Sequence, residues 1–198
     1  WEACLTIGTS WGYKKGDKPL KSSAELIRAL VDVASRGGNL LLNVGPTADG
    51  QIPPEFVTRL QDIGRWMAAS GESIYGTRGG PFVAADMKRR RFNSARHQFN
   101  LPGGRWWGGS THRGDTVYLH VLRCPSDTIE LPSPGFEVVE HAVLTGGTAT
   151  VEQDGQGIRV TLEIRDEHLD AHPHRLARLG ALLDVSGQQR QQFAHRLA

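Results

Sequence analysis

Cysteine is scarce in this chain, charge of either sign nearly cancels, and long apolar runs are missing. Cys4 and Cys124 are the only cysteines in 198 residues. Two thiols make no disulfide framework; each is expected to behave as a small buried apolar side chain, with a disulfide left as an open alternative. Formal net charge is +2, too small to argue for nucleic acid or an anionic membrane as a partner. No stretch approaches the roughly 20 apolar residues that cross a bilayer, and no secretory leader is legible. The expectation is no nucleic acid, no membrane, and a cytoplasmic product if this segment is the whole one. The chain opens at Trp1, without Met and inside a structural element, as a segment processed or cut from a longer frame would.

Metal-binding patterns are thin as well. His168 and His172 stand at i, i+4 with His174 nearby, a spacing that suits a metal on a helix. No carboxylate or cysteine set completes them, so the spacing is read as chance, and no metal or cofactor is expected. The basic run Lys88-Arg89-Arg90-Arg91, followed by Arg96 and His97, has only Phe92 and Phe99 as aromatic neighbours. It is read as a solvated loop rather than a phosphate grip.

What the chain does have is a hydrophobic fraction of 38% and 24 glycines, enough apolar surface to bury a core. The organising stretch is Gly37-Gly38-Asn39-Leu40-Leu41-Leu42-Asn43-Val44-Gly45-Pro46. An unbroken apolar run bounded by Gly and Pro reads as a parallel strand over 40–44, covered on both faces. The helices before and after it are expected to supply that cover. The first has a capping box at Ser22 and Glu25, then Leu26, Ile27, Leu30 and Val31 at helical spacing, and stops at Gly37. The second opens at Pro53-Pro54, carries Phe56, Leu60, Ile63 and Met67 as its stripe, and ends at Gly71. Residues 1–7 read as a strand or strand end, and 8–19 as a loop.

The second half changes character. Residues 116–122, 136–144, 148–153 and 158–164 read as strands, punctuated by Gly114-Asp115, Gly146-Gly147 and Asp154-Gly155. Short strands between turn signals predict an antiparallel sandwich. Glycines between 76 and 80 mark the boundary. In the tail, Leu176, Leu179, Leu182 and Leu183 fall at helical spacing, so residues 165–198 are expected to be divergent and helical.

Several residues suit chemistry. Glu2 lies among apolar neighbours at a strand end; burial there would keep a carboxyl protonated, as a general acid requires. The bland alternative is a surface glutamate at a frayed terminus. Trp11 and Tyr13 sit in a glycine-flanked loop, where aromatics either stack on a sugar or pack the loop onto a helix. Asn43 is polar inside an apolar strand and must find hydrogen bonds, to a ligand hydroxyl or to a neighbouring loop. Asp49-Gly50 reads as a turn.

Taken together, Trp1-Glu2-Ala3-Cys4-Leu5-Thr6-Ile7, Trp11-Gly12-Tyr13, Ser22-Ser23 with Glu25-Leu26-Ile27, the stretch from Gly37 to Gly50, and Gly71-Glu72-Ser73-Ile74-Tyr75-Gly76-Thr77 stand in one order. This order resembles the C-terminal part of retaining α-L-fucosidases. The resemblance is strong to about residue 82, resumes at 107–111 and 118–121, and fades after about 164. It implies an α/β plus all-β chain: a partial (β/α)8-type barrel segment over 1–78, followed by an antiparallel β-sandwich over 79–198 with a basic insertion at 83–105. It implies hydrolysis of α-L-fucosides with retention, on a fucosylated glycan or aryl fucoside. Glu2 matches the position proposed as acid/base, closing a strand whose body precedes Trp1, with Trp11, Tyr13 and Asn43 shaping the sugar site. The family's nucleophilic aspartate and fucose-binding histidines lie upstream of Trp1, and nothing here matches them. The tail after 164 does not resemble the family's closing strand. One clear barrel strand leaves helix faces without partners, which points to a homo-oligomer. The competing reading is an inactive fragment serving as a carbohydrate-binding or interaction module.

Overall fold

Local sequence signals place the first helix before any packing is considered. In the computed structural model, which describes residues 1–83, 108–122, 127–144, 148–163 and 179–185, helix α1 spans Ser23–Ser35. The Glu25 carboxylate accepts from the Ser22 N–H at 2.8 Å, and the Ser22 hydroxyl accepts from the Glu25 N–H at 3.2 Å. These bonds satisfy two otherwise orphaned donors. At the other end Gly37 takes φ +72°. Its N–H donates to Ala34 O, and that of Gly38 to Val33 O, both at 2.9 Å. This paired closure needs a left-handed residue, which glycine supplies without a Cβ clash. Strand β2, Asn39–Asn43, follows at once, and helix α2, Pro54–Ser70, begins on a proline whose missing N–H costs nothing there.

Strand β1, Glu2–Thr6, runs parallel to β2, with Glu2 opposite Asn39 and Thr6 opposite Asn43. Both helices lie on one face of this pair. Ile7 packs with Leu26 of α1 and Phe56 of α2, and Leu42, Val44 and Ile63 join the cluster. Ser23 Oγ donates to Asp62 Oδ2 at 2.5 Å and ties the helices together. The opposite face carries Glu2, Cys4, Asn39 and Leu41, all exposed, with Leu41 at 45%. Cover on both faces was expected and is not what the described residues provide. The α1 crossover can lie on one side only, and α2 lies beside it. An all-apolar strand reads the same whatever is meant to fill its second face. Cys4, expected buried, is an exposed free thiol for the same reason; Cys124 lies outside the described residues.

The rest is antiparallel. Strands β3 (Arg78–Val83), β4 (Gly108–Arg113), β5 (Thr116–Val121), β7 (Val138–Val143) and β10 (Leu179–Val185) form one sheet in the order β3-β4-β5-β10-β7. Strands β6 (Thr128–Pro132), β8 (Thr148–Gln153) and β9 (Gly157–Glu163) form a second, ordered β6-β9-β8. Val117, Leu119 and Val121 of the first share a core with Ile129, Val160 and Leu162 of the second. Period-two alternation aims these residues inward from both sheets.

The expected helical tail is corrected by β10. Leu179, Ala181 and Leu183 stand in register with Val121, Leu119 and Val117. Leucines at 179 and 183 fit both a helical and a strand period. The backbone groups of β5 and β7 needed a partner between them, and that long-range demand decided the matter. Residues 165–178 and 186–198 lie outside the described residues, as do most of the basic insertion and His168, His172 and His174. Strands β3, β4 and β6 were not foreseen; the glycines between 76 and 80 read as a boundary, and 107–111 entered only through the resemblance. Gly79-Gly80 and Gly108-Gly109 are strand residues at a close approach: a Cβ on Gly109 would lie 2.3 Å from Ser35 Oγ.

Strand β5 is buried on both sides. Its second face brings His120, 2% exposed, against the segment after α2. The Thr111 hydroxyl donates to Ser73 O at 2.6 Å and lies 2.9 Å from His120 Nε2. With its only proton used on the carbonyl, Thr111 accepts there, so His120 donates through Nε2 as a neutral imidazole. Ser73 Oγ continues the chain to Ser70 O at 2.6 Å. Burial pushes the His120 pKa down to about 4, with the Ser73 carbonyl pulling the other way. Burial pushes His112 in the same direction, opposed by its bond to Gly79 O and helped by Arg78.

The unfolded His120 titrates near pH 6.5. Between that value and about 4 the unfolded chain binds a proton that the folded one refuses. Stability is therefore complete above pH 6.5 and falls as pH falls through about 4, by roughly 3 kcal/mol. Denaturant midpoints at pH 7.5 and 4.5 should differ accordingly, and the difference should shrink in His120→Gln. Equal midpoints for the parent would exclude the coupling.

Candidate functional site at the carboxyl end of the parallel pair

Beyond Thr6 and Asn43 the two parallel strands run into a loop, residues 7–22, and a turn, residues 44–53. Each is held by its own side chains. Lys21 Nζ donates to Thr6 O at 2.8 Å and Gly8 O at 3.3 Å, satisfying carbonyls at the end of β1. Burial lowers the Lys21 pKa, with Glu25 and Asp17 opposing. Arg59 Nε on α2 donates to Lys21 O at 2.6 Å, so the loop is also anchored to the second helix.

Asp17 is the hub of the loop. It is nearly buried, accepts from the Thr9 N–H at 2.8 Å, and takes a second, short bond from the Thr9 hydroxyl. Lys14 Nζ stands 4.0 Å away. Burial pushes the Asp17 carboxyl up, but the Thr9 hydroxyl and N–H, Lys14 and the Ser10 N–H together outweigh it and hold the pKa below the ordinary carboxylate value. Asn43 Nδ2 donates to Trp11 O at 2.7 Å. The chain at Gly45 passes so near that a Cβ there would lie 2.7 Å from Gly12 C and 2.8 Å from Tyr13 N. Above these contacts Trp11 and Tyr13 are 40% and 50% exposed. In the turn, Thr47 N–H donates to Gln51 O at 2.8 Å and the Thr47 hydroxyl bonds Asp49, which lowers the Asp49 pKa.

The structure thus brings Trp11, Tyr13 and Asn43 together and leaves Glu2 apart. Glu2 is the first described residue of β1, and its side chain is exposed. Thr6 lies four positions further along β1, roughly 13 Å at the usual strand rise. The neighbours of Glu2 are Cys4, whose Sγ donates to Glu2 Oε1 at 3.6 Å, and Trp1, whose Nε1 donates to Arg36 O at 3.2 Å. Desolvation, then the Glu2 bond and its charge, raise the Cys4 thiol. The strand end expected at Glu2 stands instead at Thr6, because β1 continues past Glu2. Of the two outcomes open to Asn43, the described bond is to a loop. Asp17, Lys21 and Gly45 were not singled out by sequence. An aspartate among lysines reads as a solvated charge, and nothing local announces that it will accept from Thr9.

Among the described residues, no group of three or more His, Cys, Asp or Glu is placed to hold a metal. No helix among them is long and apolar enough to cross a membrane.

Comparison with known proteins places this geometry. The family model described as alpha-L-fucosidase matches residues 1–72. The alpha-L-fucosidase of Dictyostelium discoideum is 37% identical over 131 residues, 65% of this chain and 25% of that protein. That of Branchiostoma floridae is 32% identical over 169 residues, 82% of this chain and 34% of that protein. Among solved structures, an alpha-L-fucosidase from Vibrio sp. strain EJY3 superposes with a TM-score of 0.74 at 28% identity, over 94% of this chain and 30% of that one. One from Bacteroides thetaiotaomicron, described as a trapped covalent intermediate with 2-fluoro-fucosyl fluoride, gives 0.68 at 27% identity, over 94% and 38%. The chain thus spans 25% and 34% of the length of these two curated relatives.

The hydrogen bonding separates Asn43 from Glu2 energetically. Asn43→Ala should cost about 1–2 kcal/mol, the usual loss when a hydrogen-bonded amide is removed. Glu2→Gln should stay within about 0.5 kcal/mol, as exposed substitutions do. Thermal unfolding of the two variants beside the parent checks the ranking, and a reversed order would overturn it.

Proposed function

The chain carries the sequence and fold of a segment of the α-L-fucosidases, and on that premise we propose that it serves the hydrolysis of α-L-fucosides with retention of configuration. The observation that carries this reading is the parallel pair β1–β2 within the matched residues. It is backed by helices on one face, open on the other, and surmounted at its carboxyl end by an aromatic loop. In a (β/α)8-type barrel the helix-free face points inward and active sites lie at the carboxyl ends of the strands. Residues 1–78 then contribute a barrel wall, and the two antiparallel sheets with their common core make the sandwich beside it.

Retention requires a nucleophilic carboxylate and an acid/base carboxyl about 5–5.5 Å apart. The Bacteroides relative trapped as a covalent intermediate supports that course for the family. The described loop and turn at the carboxyl end carry Asp17 and Asp49, both held below the usual carboxylate range by hydrogen bonds. Ionised and committed to turns, neither suits a proton donor. On this reading the catalytic pair comes from strands that complete the barrel, packed on the face of Glu2, Cys4, Asn39 and Leu41. A second copy of the chain is the proposed source of that cover. Glu2 becomes a residue of the inner wall, too far from the carboxyl end to deliver a proton there.

An aryl α-L-fucoside assay combined with sedimentation tests the proposal. Discrete multimers at micromolar concentration, with activity that falls on dilution, are expected. Glu2→Gln should affect aryl fucosides and substrates with poor leaving groups to the same extent. A selective loss on poor leaving groups would restore Glu2 as the acid. Fucose binding without turnover at any concentration would favour the carbohydrate-binding alternative.

A further inference from the structure

Asp17 and Gly45 are not placed to touch a substrate, yet both are built around the loop that carries the two exposed aromatics. Asp17 closes residues 9–17 into a ring, accepting twice from Thr9. Gly8 makes room for it: a Cβ there would lie 1.9 Å from Asp17 Oδ2. Gly45 lets the turn after β2 press against the backbone of Gly12 and Tyr13, and Asn43 fixes the Trp11 carbonyl from the same strand. The loop is thus pinned at its base by Asp17 and along its inner side by β2, while Trp11 and Tyr13 stay outside. An aromatic pair that only packed a loop onto a helix would be covered. Here the backbone is held and the side chains of Trp11 and Tyr13 stay 40% and 50% exposed, as a preorganised stacking surface requires.

We infer that Asp17 and Gly45 are positioning residues that hold Trp11 and Tyr13 as an aromatic wall for the apolar face of a pyranoside ring. This rests on reading the carboxyl end of β1–β2 as the fucoside site. The pair acts through rigidity: with the backbone already ordered, binding a sugar does not bear the cost of ordering the loop. Asn43 strengthens the clasp from β2, and Lys21 keeps the loop's root on the end of β1.

Two readouts test the inference independently. The first is trypsin cleavage after Lys14 and Lys15, both exposed in the loop. Asp17→Asn removes the charge and one of the two accepting oxygens, Thr9→Ala removes the hydroxyl donor while its N–H remains, and Gly45→Ala pushes against the loop backbone. Each should speed cleavage by about tenfold or more, the scale of losing a hydrogen bond to a charged group, with thermal midpoints used to exclude global unfolding. The second is L-fucose affinity, followed by titration of the purified protein. The same variants, and Trp11→Ala, should weaken it by about tenfold. In an assembly that turns over an aryl fucoside, the loss should appear in KM with kcat within about twofold. Unchanged cleavage overturns the clasp. Faster cleavage with unchanged fucose affinity overturns the sugar wall and leaves a purely structural loop. A parent that binds no L-fucose overturns the fucoside reading and the sugar wall with it, while the cleavage arm still decides the clasp.

Discussion

A parallel strand pair that the described residues bury on one face and leave open on the other is the constraint from which the rest of this structure follows. Parallel pairs are found buried on both sides, because their crossover helices cover one face and further structure covers the other. Here Leu5, Ile7 and Leu42 face helices, while Glu2, Cys4 and Leu41 do not. Exposed apolar area such as that of Leu41 costs about 25 cal/mol per Å² until something covers it. On the proposed reading, this open face is where further strands pack and toward which a barrel closes. The functional reading depends on that geometry, since it decides which strand end looks toward a substrate.

The helical layer and the antiparallel sheets are joined by polar chemistry rather than by apolar packing alone. The chain of bonds from His120 through Thr111 to Ser73 and Ser70 crosses from β5 to the end of α2. Ile27, Val31 and Leu122 supply the apolar part of the same contact. A buried network of this kind is satisfied only in one arrangement. It fixes how β4 and β5 sit on α1, and the glycines at 79 and 109 permit that close seat. The cost is sensitivity to protonation, because a second imidazole proton would need an acceptor in a dry place.

On the proposed reading, the loop above β1 and β2 makes a sugar-binding surface from residues that look unremarkable in sequence. The ionised Asp17 is stabilised by donors within its own loop, and Gly45 contributes by lacking a side chain. Trp11 and Tyr13 are the visible part, and their candidacy was legible because exposed aromatics in glycine-rich loops have few structural uses. The supporting residues were not legible, since their role is defined by what lies across a turn.

Local signals in the sequence determined α1, with its capping box and glycine stop, the apolar strand β2, the proline-led α2, and strands β5, β7, β8 and β9. Each is set by residues within a few positions of one another, so periodicity and capping suffice. Tertiary structure decided the rest. Whether leucines 179 and 183 belonged to a helix or a strand depended on the unpaired edges of β5 and β7, more than 30 residues away. Which face of β1–β2 is covered depended on where two helices came to lie. The separation of Glu2 from Trp11 and Asn43 depended on β1 running on past Glu2 to Thr6, opposite Asn43. A residue pattern records which side chains alternate, but not what will stand opposite them, and it is the opposing surface that sets burial, register and the pKa of a group such as His120.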